Sequence, residues 1–297
     1  MNLKTLPNTF IIGAPKCGTT ALFTNITTHP DICGCSQKEP YYFNMKDQII
    51  YDRSLQDYMS LYDHYSNEKI IIEASPCYLY YPNTASYINE ILPQKPKIIA
   101  ILRQPCERAF SQYLGNYSNE NSINKISFSQ ALDEEDNRHK NNDSFIFLYK
   151  RVGLYYKQVK RIIDTFGKQN CLICLFEDFQ NNKTLFYKRI FDFLEVDSRF
   201  VPEHKNTVIN SSRIKTEGNK RIINDIIYSR NKLKVLMKYL LSPRLRDSIK
   251  KILLEKSTTY EEIDPIIYNE LLIYFNDDIK RLEQLIKFDL SDWLLKK

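Results

Sequence analysis

No stretch of this sequence approaches the roughly 18 consecutive apolar residues of a membrane-spanning helix, so a simple transmembrane protein is excluded. No export leader is expected either: Met1 to Asn8 is short and polar, and the apolar run behind it, Phe10-Ile11-Ile12, reads as a strand. The expected location is therefore cytoplasmic. No internal repeat and no linker divides the 297 residues, so one domain over 1–297 is expected, with 221–297 as a mainly helical extension.

A strong charge of either sign is missing as well. The net charge is +6, and the Lys and Arg residues are scattered among balancing Asp and Glu, which fits a solvated surface and an anionic small ligand and gives no reason to expect a nucleic-acid partner. Seven cysteines is an odd number, and without export they are expected as reduced thiols. Cys33-x-Cys35 and Cys171-x-x-Cys174 have no companion Cys/His set at ligand spacing, and the second pair lies inside an apolar strand, so no metal site is expected. Histidines are few. His29, beside Pro30 at a helix end, reads as a structural cap, and His64, His139 and His204 sit in polar surroundings typical of surface residues.

What the chain does have is the stretch Thr9 to Thr20, Thr-Phe-Ile-Ile-Gly-Ala-Pro-Lys-Cys-Gly-Thr-Thr. Its apolar start is a buried-strand signature, and Ala21, Leu22, Phe23 and Ile26 recur at helical spacing, so it reads as strand, tight loop, helix. Free N–H groups at the helix start, with Gly13 and Gly18 allowing close backbone approach, form an anion cradle. The glycines have the spacing of G-x-x-x-x-G-K-[ST], yet Thr19 stands where the lysine belongs, and the only lysine, Lys16, lies inside the loop. A magnesium nucleotide would also need an Asp at the end of a neighbouring strand. The best later strand, Lys97 to Leu102, ends instead in Arg103. One phosphate cradle and one cationic strand end point to a metal-free nucleotide with two separate anionic groups. Cys17, at a helix N-terminus, is either an activated thiol or a small residue that fits the loop, and the second reading is favoured.

The remaining periodicity predicts strands at Lys69–Glu73 and Cys171–Phe176 and helices at Tyr51–Tyr65, Asn83–Leu92, Phe128–His139, Val152–Phe166 and Thr184–Leu194. Asp31 to Asn44 reads as a loop, and the Asn-rich region Tyr117 to Ser144 as a lid-like segment. Helices broken at Ser242-Pro243 and Asp264-Pro265 fill the C-terminal part. The fold expected is α/β: a P-loop-like three-layer arrangement, a central parallel sheet flanked by helices.

Pro15-Lys16-Cys17-Gly18-Thr19-Thr20 and Arg103-x-Pro105-x-Glu107-Arg108-Ala109-x-Ser111-x-Tyr113 resemble the two cofactor motifs of sulfotransferases that use 3′-phosphoadenosine 5′-phosphosulfate, PAPS. Lys38-Glu39-Pro40-Tyr41-Tyr42-Phe43, between them, is similar to the segment bearing the catalytic glutamate in the heparan sulfate type and many bacterial members. The resemblance implies that Pro15 to Thr20 hold the 5′-phosphosulfate, Arg103 and Ser111 the 3′-phosphate, Lys16 the leaving-group charge and Glu39 the acceptor's proton. It further implies that a loop around Arg213 and Lys215 closes on the nucleotide's 3′ side. Tyr41, Tyr42, Ser75 and Tyr78 are acceptor-site candidates, with packing the competing account. Two departures are visible. The histidine base of the cytosolic branch is absent from Glu73-Ala74-Ser75-Pro76, and Ala74 replaces a lysine common in the heparan sulfate type.

The expected reaction is sulfuryl transfer to a hydroxyl, or as second choice an amine, of a small molecule or sugar. A magnesium-dependent P-loop kinase or NTPase, opposed by Thr19, and a non-catalytic nucleotide-binding protein, opposed by the joint presence of Lys16, Glu39, Arg103 and Ser111, are the alternatives.

Overall fold

Continuous apolar runs become strands buried on both faces, which is why the sheet is wholly parallel. A computed structural model of the chain describes residues 6–47, 53–117, 126–202 and 262–296. Five strands, β1 (Thr9–Gly13), β2 (Ile32–Gly34), β3 (Ile70–Ala74), β4 (Lys97–Leu102) and β5 (Cys171–Leu175), lie in the order β2-β3-β1-β4-β5. Every neighbouring pair is parallel. The expected α/β architecture is therefore present, but Asp31 to Asn44 is not all loop, since it supplies edge strand β2 and the start of a 3-10 turn at Tyr42–Asp47.

Helices α1 (Thr19–Ile26), α2 (Leu55–Ser60), α3 (Thr84–Ile91) and α4 (Pro105–Tyr117) connect or follow the first four strands. Helix α2 is much shorter than the expected Tyr51–Tyr65, and the segment read as one helix at Phe128–His139 is two, α5 (Phe128–Asp133) and α6 (Glu135–Lys140). Then come α7 (Tyr155–Phe166), α8 (Phe176–Asn181) and α9 (Lys183–Leu194). The last described helix, α10 (Pro265–Ile286), starts at the expected Asp264-Pro265 break: Asp264 Oδ1 accepts from the Ile266 N–H at 2.7 Å, and Pro265 fills a first-turn position that needs no donor. Its buried face, Tyr268, Leu271, Leu272, Phe275, Ile279, Leu282 and Ile286, joins the same core as the sheet. No helix among the described residues is long and apolar enough to cross a membrane.

Glu135 shows how the helical layer supports the site. Fully buried, its carboxylate accepts from the Lys150 N–H at 2.7 Å and the Arg151 N–H at 2.8 Å, fixing the turn that launches α7. Burial pushes its pKa up, and these two N–H groups oppose that shift. Glu135→Gln keeps the volume but turns a donor toward one of those N–H groups. Urea unfolding should show a loss of about 2 kcal/mol at unchanged slope.

Candidate active site

The loop after β1 and the residue after β4 lie at the same edge of the sheet, where β1 and β4 are adjacent and the chain winds away from them in opposite directions, the topology that forms a crevice in open parallel sheets. Open parallel sheets bind ligands at such a switch point. The Ala14 N–H donates to the Ile101 carbonyl at 2.7 Å, tying the loop to β4. Gly18 precedes α1 with φ +84°, where a side chain is strained, and a Cβ there would crowd the Phe176 ring at 3.0 Å. No side chain caps α1, so its first-turn N–H groups remain available to a ligand. Thr19 is buried and Thr20 half-buried at that terminus.

Lys16 sits on this loop with φ +67°. Its pKa is lowered first by burial, then by the Arg103 and Arg108 guanidiniums, while Glu39 and the Cys17 sulfur pull the other way. A cation crowded by two cations favours the arrival of an anion. Cys17 resolves to the structural role: it is buried, and desolvation pushes its thiol up to about 12, so the helix terminus does not make it a thiolate.

Arg103 is partly exposed at the end of β4, 3.5 Å from the Glu107 carboxylate and over the Phe176 ring at 5.1 Å. Its carbonyl accepts from the Tyr155 hydroxyl at 3.0 Å, and the Tyr155 oxygen lies 4.0 Å from the Cys17 sulfur, so α7 touches both the loop after β1 and the residue after β4. Gln104 is fixed from three sides: its N–H donates to Glu177 Oε1, and its amide donates to the Tyr268 hydroxyl and the Trp293 carbonyl. The C-terminal Asp-Trp-Leu segment is thereby connected to the residue beside Arg103. Ser111 lies half-buried on α4, about two turns in.

Glu39 is delivered by the segment between β2 and the 3-10 turn. Its N–H donates to the Ala74 carbonyl at 3.1 Å, and its carboxylate accepts from Lys38 Nζ and from the Tyr41 hydroxyl. Both Glu39 (φ +58°) and Tyr41 (φ +57°) are left-handed, flanking Pro40, a costly pair for non-glycine residues. The carboxylate is partly exposed and electrostatically coupled to Lys16, so base candidate and loop cation are close enough to act together.

The remaining candidates divide. Tyr42 is half-buried and stacks on Tyr58 with ring centroids 4.4 Å apart. Ser75 and Tyr78 are buried, with their hydroxyls engaged inside the protein: Ser75 donates to Glu73 Oε1 at 2.6 Å, and Tyr78 accepts from the Phe43 N–H at 3.1 Å. Arg213 and Lys215 lie outside the described residues. Sequence reading assigned no role to Arg108, which is fully buried and donates to Gln112 Oε1 and the Tyr149 carbonyl. It also passed over Tyr155. Nothing in a helical stripe distinguishes the tyrosine that reaches back to a distant loop.

The sulfotransferase domain family matches residues 6–238. A crystal structure of a sulfotransferase from Alicyclobacillus acidocaldarius superposes with a TM-score of 0.72 at 30% identity, covering 97% of this chain and 98% of that one. Among curated proteins, membrane-associated sulfotransferase kil1 of Dictyostelium discoideum is 40% identical over 114 residues, 37% of this chain and 23% of that protein. Mouse carbohydrate sulfotransferase 15 is 27% identical over 252 residues, 65% of this chain and 44% of that protein. The chain thus matches less than half the length of these two curated relatives.

Proposed function

This chain belongs to the sulfotransferase domain family, and we propose that it moves the sulfuryl group of PAPS to a hydroxyl of a sugar or small-molecule acceptor, with an amine as second choice. The observation that carries this reading is Lys16, a largely buried cation beside Arg103 and Arg108 at the sheet's switch point, facing the carboxylate of Glu39. The uncapped start of α1 and the positive φ of Gly18 fit the same donor. The carbohydrate sulfotransferase among the relatives favours a sugar hydroxyl.

PAPS supplies the sulfuryl group and, on transfer, becomes 3′-phosphoadenosine 5′-phosphate, PAP. Gly18, Thr19 and Thr20 hold its 5′ end through backbone N–H groups and hydroxyls, Pro15 and Cys17 shape the loop around it, and Lys16 neutralises charge gathering on the departing phosphate. Arg103 and Ser111 hold the 3′-phosphate. Glu39 accepts the acceptor's proton; the Tyr41 hydroxyl holds Oε2, and the acceptor displaces the partly exposed Lys38 ammonium from Oε1. Tyr41 and Tyr42 border the acceptor. No metal takes part.

Calorimetric titration with PAP, against ATP with magnesium, tests the proposal. Binding of PAP in the presence of EDTA, tighter than ATP by tenfold or more, is the expected result. Preference for magnesium ATP would replace this reading with that of a P-loop kinase or NTPase, and tight PAP binding without any transfer would leave a nucleotide-binding protein.

A further inference from the structure

Glu73 is the last acidic residue anyone would choose for the middle layer of a parallel sheet. It lies in β3 with no exposed surface, and an ionised carboxylate there loses its hydration, which pushes its pKa up. A hydrophobic residue of similar volume would satisfy the strand at no such cost. What Glu73 has in return is a set of hydroxyls. Ser75 donates to Oε1 at 2.6 Å, Tyr58 from α2 donates to Oε2, and Tyr78 also bonds the carboxylate.

Two of those hydroxyls face the other way as well. Ser75 Oγ is 3.4 Å from the Tyr41 N–H, and the Tyr78 oxygen accepts from the Phe43 N–H at 3.1 Å. With the Glu39 N–H on the Ala74 carbonyl, alternate residues 39, 41 and 43 are anchored to the end of β3 and the turn after it. Two of the three anchors run through hydroxyls bound to Glu73. The segment needs them, because Glu39 and Tyr41 both hold positive φ, a conformation that persists only where the surroundings over-determine it.

We propose that Glu73 is a positioning residue for the transfer reaction: through Ser75 and Tyr78 it holds the backbone of residues 39–43, and so aims the Glu39 carboxylate at the crevice. This rests on the reading of Glu39 as the base. The role is distinct from catalysis proper, since Glu73 touches neither donor nor acceptor.

The test is hydrogen exchange followed by mass spectrometry on the full chain, for the parent, Glu73→Gln, Tyr58→Phe and Ser75→Ala. Ser75→Ala removes one relay hydroxyl only and serves where Glu73→Gln folds poorly. Peptides covering 38–44 should exchange about tenfold faster in Glu73→Gln and Ser75→Ala, with β4 and α7 unchanged and PAP affinity within about twofold. PAP release from PAPS should fall in turnover number with KM for PAPS held. Unchanged exchange at 38–44 in both variants, or a rise spread evenly over the chain, overturns the proposal. Glu39→Gln, run in parallel, separates the two readings: if it retains turnover the base assignment fails, while the exchange data still decide whether Glu73 anchors the segment.

Discussion

Replacing Glu39 by Gln should reduce sulfuryl transfer by roughly 10²- to 10⁴-fold, the usual contribution of a positioned general base, while PAP affinity stays within about twofold. The amide is nearly isosteric, and its oxygen can still accept from the Tyr41 hydroxyl, so the segment's anchors at the Ala74 carbonyl, Ser75 and Tyr78 are untouched. What disappears is the capacity to take a proton. The ion pair with Lys38 is lost too, but both partners are partly exposed and such pairs are worth little. Steady-state kinetics beside PAP calorimetry checks this. Turnover close to that of the parent would mean that another group, or water, removes the acceptor's proton, and the Glu39 assignment would be abandoned.

The sheet was legible where its strands are continuous apolar runs. Phe10-Ile11-Ile12, Ile70-Ile71-Ile72, Ile98 to Leu102 and Cys171 to Leu175 announce themselves because both faces are covered and no alternation is needed. Edge strand β2 was not legible: three residues ending in Gly34 offer no period to read. The split at Glu134 escaped for a related reason, since the polar run Glu134 to Lys140 carries helical propensity but no apolar stripe to mark a break. The residues proposed to hold the nucleotide could be picked out because their chemistry is local, a glycine-framed loop and a strand-end arginine. Glu73 and Tyr58 could not be assigned, because a buried acid and the hydroxyl that satisfies it are brought together only by the fold. Ser75 and Tyr78 could be placed near the strand end but not oriented, and their hydroxyls face Glu73 and the Phe43 N–H.

Lys16→Ala carries the second large effect, and its sign differs between function and stability. Transfer should drop about 10²- to 10³-fold, equivalent to the roughly 3–4 kcal/mol that a positioned donor contributes to the transition state, and PAP should bind more weakly. Stability should not follow. In the free protein Lys16 is a cation partly stripped of water and repelled by Arg103 and Arg108, so its folded pKa lies below its unfolded one. A lysine shifted in that direction disfavours the folded state while it is charged, and alanine removes the repulsion. The Tm without ligand should therefore hold or rise, whereas the increase in Tm on adding saturating PAP should shrink relative to the parent. Thermal scans with and without PAP check both halves. A large fall in the ligand-free Tm with an undiminished PAP-induced increase would make Lys16 a structural residue of the loop and remove the counter-charge from the mechanism.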